Sequence, residues 1–115
     1  MGKGSGDAGE KIAGAYLESI GARILARNYA ARGGEIDLVA ELDDTILFVE
    51  VKYRANARYG DPADAMTIGK QRRICRAALH YLYMNGMLER SVRFDAILIA
   101  LPDITHIPSA FDYIE

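Results

Sequence analysis

The stretch that decides the fold is GEIDLVAELDDTILFVEVK, residues 34–52. Two mostly apolar runs, residues 34–41 and 45–53, flank the polar pair Asp43–Asp44. This pattern is typical of two antiparallel strands joined by a two-residue turn. Four charged residues nevertheless interrupt the apolar runs, and the hairpin geometry indicates how they are arranged.

Counting back from a turn at Asp43–Asp44 places Asp37 opposite Glu50 and Glu35 opposite Lys52. All four side chains then point to one face of the sheet, because side chains alternate along a strand with a period of two. Like charges directly opposite each other are destabilising. Lys52 can pair with Glu35, which leaves Asp37 and Glu50 together with no cation in the hairpin between them.

A divalent cation would resolve this repulsion. Mg²⁺ prefers oxygen ligands and commonly takes one or two carboxylates, and Mn²⁺ is the alternative. Lys52 lies on the same face and could orient an attacking water, an arrangement expected for metal-assisted hydrolysis of a phosphodiester. The alternative is a solvated surface with a Glu35–Lys52 pair, in which Asp37 and Glu50 have no chemical role.

The rest of the chain predicts an α/β protein of one domain over residues 1–115, with a flexible tail at 1–6. A long helix between the third and fourth strands permits a parallel crossover, so we expect a mixed sheet flanked by helices in the order αβββαβ. The predicted elements are a helix capped by Asp7 and ending near Gly21, strands 22–29, 34–41 and 45–53, a long loop 54–68, a helix 69–85, a strand 92–100 and a short edge strand 104–108.

Composition narrows the cellular context. No apolar run approaches the roughly 18 residues of a membrane helix, and the N-terminus lacks the apolar segment of a signal peptide, so we expect no membrane association. The single cysteine, Cys75, excludes an internal disulfide and is compatible with a reducing cytoplasm. It lies on the apolar side of a predicted helix, where we expect it to pack in the core.

Positive charge is concentrated in residues 52–76, which contain seven basic residues and two acidic ones, in a chain of net charge −2. A basic segment on an acidic body is typical of a phosphate-binding surface, although a solvated helix face with an adjoining loop is the simpler alternative. The candidate phosphate-binding residues are Arg54, Arg58, Lys70, Arg72 and Arg73.

Two further polar residues are candidates with competing explanations. Glu10 follows Asp7 by three residues, so a capping box at the start of the first helix accounts for it as well as a site does. Gln71 begins the apolar stripe of the second predicted helix, and its amide is either a local cap or a contact in the site.

These residues belong to an ordered set of motifs along the chain. The motifs are GE at 9–10, GEIDLVA at 34–40, FVEVKYR at 48–54, GDP at 60–62, KQRR at 70–73 and RFD at 93–95. This set resembles the YraN-like bacterial family. The resemblance implies a restriction-endonuclease-like fold, related to Holliday-junction resolvases, with Asp37, Glu50 and Lys52 as the Asp…Glu-x-Lys signature and Glu10 as the acid of the first helix.

The sequence and the resemblance together predict a Mg²⁺- or Mn²⁺-dependent endonuclease that acts on branched or otherwise structured DNA. Asp37, Glu50 and Glu10 are the expected metal ligands, and Lys52 and Gln71 complete the expected catalytic set. A nucleic-acid-binding protein without turnover and a protein–protein adaptor are the alternatives. The oligomeric state is left open, with a homodimer as one option.

Overall fold

One five-stranded mixed sheet with a helix on each face organises the chain. The computed structural model describes residues 3–31, 33–53 and 66–114, with side chains from Ala8 onward. The elements are α1 (Lys3–Ser19), β1 (Arg23–Ala31), β2 (Gly34–Leu42), β3 (Thr45–Tyr53), α2 (Ile68–Met84), β4 (Ser91–Ala100) and β5 (Asp103–Phe111). Strands β1 to β5 lie side by side in chain order, with β3 and β4 parallel and every other neighbouring pair antiparallel.

The predicted αβββαβ order and mixed sheet are confirmed, and the short edge strand expected at residues 104–108 is present as the longer β5. The start of the first helix was predicted wrongly. Helix α1 begins at Lys3, so Asp7 is an internal helical residue rather than its cap, and residues 3–6 of the predicted tail belong to the helix. Most of the predicted loop 54–68 lies outside the described residues.

The β2–β3 hairpin has the predicted two-residue turn. Asp43 and Asp44 both have positive φ angles, 51° and 68°, as a type I′ turn requires. The pairing runs in the predicted register from Leu42–Thr45 to Leu38–Val49. The apolar pattern and the turn chemistry therefore specify the same register.

Beyond Leu38 the regular alternation of β2 is interrupted. Leu38 packs in the core on the α1 side of the sheet, yet Ile36 packs in the core on the α2 side. Between them, the carboxylate of Asp37 accepts a hydrogen bond of 2.8 Å from the backbone N–H of Val51. The interruption places the first residues of β2 outside the simple hairpin geometry from which Glu35 and Lys52 were predicted to pair.

Helix α2 lies unusually close to the start of β2. A Cβ atom on Gly34 would stand 2.2 Å from the carbonyl oxygen of Arg73, far inside the contact limit. Only glycine therefore allows the α2 backbone to approach β2 at this point. On the rest of its inner face α2 buries Ile74, Cys75 and Leu82, which confirms Cys75 as a core residue.

On the β4–β5 side of the sheet, β4 contains a fully buried carboxylate, Asp95. Arg93 donates two hydrogen bonds to it, at 2.9 and 2.8 Å, and the Ser109 backbone N–H donates a third at 3.0 Å. His106 Nε2 lies 2.8 Å from the same carboxylate, and His106 Nδ1 lies 2.9 Å from the Tyr16 hydroxyl of α1. Although burial opposes ionisation of Asp95, these hydrogen bonds hold its pKa below the ordinary value.

Candidate active site

Asp37 of β2 and Glu50 of β3 meet at the point where β2 departs from its regular path. Their carboxyl groups hydrogen bond to each other, as the hairpin geometry predicted. Glu50 is 8% exposed, and the backbone N–H of Val51 fixes the orientation of the Asp37 carboxylate. Two acids therefore share one poorly hydrated location.

This contact has a direct electrostatic consequence. Burial, and next the negative charge of Glu50, raise the pKa of Asp37 from 3.8 to about 7, against the hydrogen bond from Val51 that lowers it. Two carboxylates in contact resist simultaneous ionisation, because each charge disfavours the other. In the metal-free protein near neutral pH, Asp37 is thus protonated in a large fraction of molecules.

Two ammonium groups contact the second carboxylate. Lys70 Nζ lies 2.6 Å from Glu50 Oε2, and Lys52 Nζ lies 3.3 Å from the same oxygen. The predicted pairing of Lys52 with Glu35 was therefore wrong: Lys52 pairs with Glu50, and Glu35 is exposed. Lys70, which the sequence suggested only as a phosphate contact, is brought into the site by α2. We call Asp37, Glu50, Lys52 and Lys70 the acidic–lysine site.

The two lysines experience different environments. Burial, and next the neighbouring Lys70, lower the pKa of Lys52. Burial also opposes the charge on Lys70, but its hydrogen bond to Glu50 holds its pKa above the ordinary value. Lys52 therefore lies where burial and a second ammonium group disfavour its charge.

Glu10 approaches this site from α1. It is 8% exposed and accepts a hydrogen bond of 2.8 Å from Asn28 Nδ2, and its charge contributes to the raised pKa of Asp37. The capping-box explanation for Glu10 is wrong, because the residue lies well inside the helix. Asn28 was not predicted as a site residue. Its φ of 53° turns β1 locally, and asparagine tolerates such a backbone better than most residues.

Gln71 makes a local contact. Its side-chain Nε2 donates a hydrogen bond of 2.8 Å to the carbonyl of Met66, just before α2. It also lines a small cavity of about 150 Å³ together with Lys52. The capping alternative thus describes the hydrogen bond of Gln71, while its position keeps it beside a residue of the acidic–lysine site.

An open groove of about 760 Å³ gives access to Asp37 and Glu50. Lys70 and Arg73 of α2 also line it, whereas Arg72 is exposed outside its lining. Arg54 and Arg58, the remaining candidate phosphate contacts, lie outside the described residues. The groove combines two contacting acids with basic side chains. This combination suits an anionic ligand that binds together with a cation.

The residues present fit a hard divalent cation bound through few protein ligands. Among residues 8–31, 33–53 and 66–114, no three histidine, cysteine or acidic side chains are grouped closely enough to hold a metal ion, so Glu10 does not form a ready three-ligand set with Asp37 and Glu50. Mg²⁺ commonly uses one or two carboxylates and keeps several waters. The proton that Asp37 retains beside Glu50 marks a location where a cation could take its place.

Fold and site together define an α/β protein with a mixed sheet and an Asp…Glu-x-Lys site on one hairpin. The chain belongs to the family described as Uncharacterised protein family UPF0102, whose model matches residues 9–99. The matched region contains the acidic–lysine site and both helices except the first residues of α1.

Relatives in several bacteria share most of the chain. A UPF0102 protein of Geobacter sulfurreducens is 49% identical over 109 residues, covering 90% of this chain and 85% of the relative. One of Myxococcus xanthus is 44% identical, covering 93% and 88%, respectively. One of Clostridioides difficile is 42% identical, covering 95% and 97%. These matches confirm the resemblance to the YraN-like family.

Proposed function

We propose that this protein is a Mg²⁺- or Mn²⁺-dependent endonuclease that acts on branched or otherwise structured DNA. The observation that carries the proposal is the contact between Asp37 and Glu50 at the floor of an open, basic-lined groove, with Lys52 3.3 Å from Glu50. The resemblance to Holliday-junction resolvases supplies the branched class of substrate.

In this proposal Asp37 and Glu50 bind the ion, and Glu10 of α1 is an outer or second ligand of it. The bound cation would neutralise charge on the phosphate and make a water nucleophilic at neutral pH. The raised pKa of Asp37 suits this role. Burial and the charge of Glu50 disfavour its ionised form, and a bound cation would offset both effects.

Lys52 orients the attacking water and takes part in proton transfer. Its lowered pKa makes it a better proton acceptor than an exposed lysine. In the hydrolysis, the water oxygen forms a bond to phosphorus while the bond from phosphorus to one bridging sugar oxygen breaks. The proton lost by the water balances the one that the leaving oxygen takes up.

DNA binding is assigned to the basic side of the groove. Lys70 and Arg73 line it, and Arg72, Arg54 and Arg58 extend the same segment of the chain. Contacts of this kind position the phosphate backbone without reading bases, so we expect recognition of DNA shape rather than of sequence.

A panel of linear, nicked, flapped and four-way DNA, incubated with Mg²⁺ or Mn²⁺, tests the proposal. We expect cleavage of a branched member, abolished by Asp37→Asn and by Lys52→Met. Glu89→Gln is the matched control, because it removes an exposed carboxylate beyond α2 and should leave cleavage unchanged. If no member is cut with either ion, and neither ion raises the melting temperature, the nuclease assignment is wrong.

A nucleic-acid-binding protein without turnover is the second candidate. It is favoured by the two lysines on Glu50, which already neutralise that carboxylate without any metal. Such a protein would bind the same DNA in the presence of EDTA and would show no cleavage with metal. The same panel therefore separates the two candidates.

The cellular location can be inferred from the helices and the single thiol. Within residues 3–31, 33–53 and 66–114, no helix is long and apolar enough to cross a membrane. Cys75 is a free, buried thiol. We propose the cytoplasm as the compartment, in line with the use of a lone cysteine and with a DNA substrate.

A further inference from the structure

A single oxygen atom of Glu50 forms ion pairs with two ammonium groups. Lys70 Nζ lies 2.6 Å from Oε2 and Lys52 Nζ lies 3.3 Å from it. The two lysines occupy different surroundings: Lys70 lines the open groove, whereas Lys52 lines the small cavity next to Gln71. Glu50 is therefore contacted from the groove side by Lys70.

A divalent cation that uses Glu50 as a ligand would compete with these ammonium groups. Positive charges a few ångströms apart repel one another strongly where water is partly excluded. At least one ammonium must then move away from Oε2. The structure indicates which of the two is free to do so.

Lys52 is the more restrained of the two. It lies in β3, two residues from Glu50, and its side chain is 17% exposed. The Lys70 side chain is 26% exposed and adjoins the open groove. A lysine has a flexible four-carbon stem, so Lys70 can turn from Glu50 into the groove without any backbone change.

The backbone that carries Lys70 is held in place. The Lys70 N–H donates to the Thr67 Oγ1 cap at 3.2 Å, and one turn later Arg73 is in close backbone contact with Gly34. Movement is therefore restricted to the side chain, which could reach either Glu50 or an anion in the groove.

We propose that Lys70 is an exchangeable counter-ion of Glu50, which holds the carboxylate in the metal-free protein and transfers to a DNA phosphate when a divalent cation takes its place. This inference rests on the proposed function and adds a regulatory step to it. Metal binding frees Lys70 for phosphate, and phosphate draws Lys70 away from the metal ligand. By linkage, each ligand then raises the affinity for the other.

The exchange is tested by titrating the full chain with Mn²⁺ in the absence of DNA and measuring binding by calorimetry. Lys70→Met should bind Mn²⁺ on the order of tenfold more tightly than wild type, since charge-assisted contacts of this kind contribute about that factor. Arg73→Met is the matched control: it removes one positive charge from the same groove, but Arg73 has no ion pair with Glu50 among the described residues. It should change the affinity by about twofold or less.

A second measurement repeats the titration with a saturating amount of uncleavable four-way DNA. In wild type the DNA should strengthen Mn²⁺ binding, and in Lys70→Met that strengthening should shrink. Lys70→Arg retains a positive charge and should behave as wild type. Lys70→Gln replaces the methionine variant if circular dichroism shows that the latter is unfolded.

The outcomes separate this inference from the function on which it rests. Equal Mn²⁺ affinity in wild type and Lys70→Met would overturn the exchange while leaving the metal site intact. Absence of binding in both variants at millimolar concentrations would overturn the exchange and the metal-dependent function together. Binding by Lys70→Met alone would support the exchange, because it would show that Lys70 blocks the ligand.

Discussion

Replacing Asp37 with asparagine should change how the stability of the metal-free protein depends on pH. Asp37 has its pKa raised from 3.8 in the unfolded chain to about 7 in the fold. Between these values the native state binds more protons than the unfolded state, so stability falls as pH rises. One pKa unit corresponds to about 1.4 kcal/mol, so this single carboxyl lowers the stability by on the order of 4 kcal/mol from pH 4 to pH 8.

Asparagine cannot ionise and can still hydrogen bond to Glu50. Asp37→Asn should therefore lose most of this decline and should be more stable than wild type at pH 8. Well below pH 3.8, where Asp37 is protonated in both states, the two proteins should have similar stability. The Val51 N–H contact can be preserved by the amide oxygen.

Urea unfolding in EDTA, followed by far-ultraviolet circular dichroism at several pH values, measures this difference. The chain contains no tryptophan, so fluorescence is a weaker probe of unfolding. Asp103→Asn is the matched control, because it makes the same chemical change at an exposed position of β5. Parallel stability curves for wild type and Asp37→Asn between pH 4 and pH 8 would refute the argument that burial and Glu50 raise the pKa of Asp37 in the fold.

Three further predictions concern the framework and the groove. Gly34→Ala should destabilise the protein by about 3 kcal/mol, because its Cβ would stand 2.2 Å from a carbonyl oxygen of α2. In the control variant Gly69→Ala, the nearest atom to the new Cβ is 3.8 Å away, so this variant should be as stable as wild type or more stable. Thermal unfolding measures both changes. Asp95→Asn should cost about 3 kcal/mol or more, since it leaves the partners of a fully buried carboxylate poorly paired, and an unchanged urea midpoint would contradict this. Reversing the charges of Arg72 and Arg73 should weaken DNA binding and flatten its dependence on salt, because fewer counterions are released; fluorescence anisotropy over a salt series would show a wild-type slope if these residues do not contact phosphate.

The hairpin and the sheet could be predicted because their signals are local. Asp43–Asp44 between two apolar runs specifies the turn, and the period of two then specifies which side chains share a face. The same reasoning brought Asp37 to Glu50 correctly. It failed one step further, for Glu35 and Lys52, because β2 changes the face of its side chains around Asp37.

The contact of Lys70 with Glu50 could not be predicted from spacing. It depends on how closely α2 packs against β2, and the feature that permits this approach is the absence of a side chain at Gly34. A glycine at the start of a strand is equally compatible with a turn, so its packing role shows only in three dimensions. The position of Glu10 beside Asp37 likewise depends on Asn28, whose left-handed backbone has no clear signal in the sequence.

The buried carboxylate of Asp95 also determines how the outermost strand is aligned. Between the pairs Phe94–Phe111 and Ala96–Ile107, β5 contains two more residues than β4, and in this interval the N–H of Ser109 bonds to the Asp95 side chain. If β5 slid along its neighbour by a single residue, this N–H would leave a carboxylate that has no exposure to water. A buried carboxylate that loses a hydrogen bond is destabilised even though Arg93 still contacts it, so a shifted register of β5 is penalised even where apolar side chains would tolerate it. Asp95 thus selects one register of the edge strand β5 against β4.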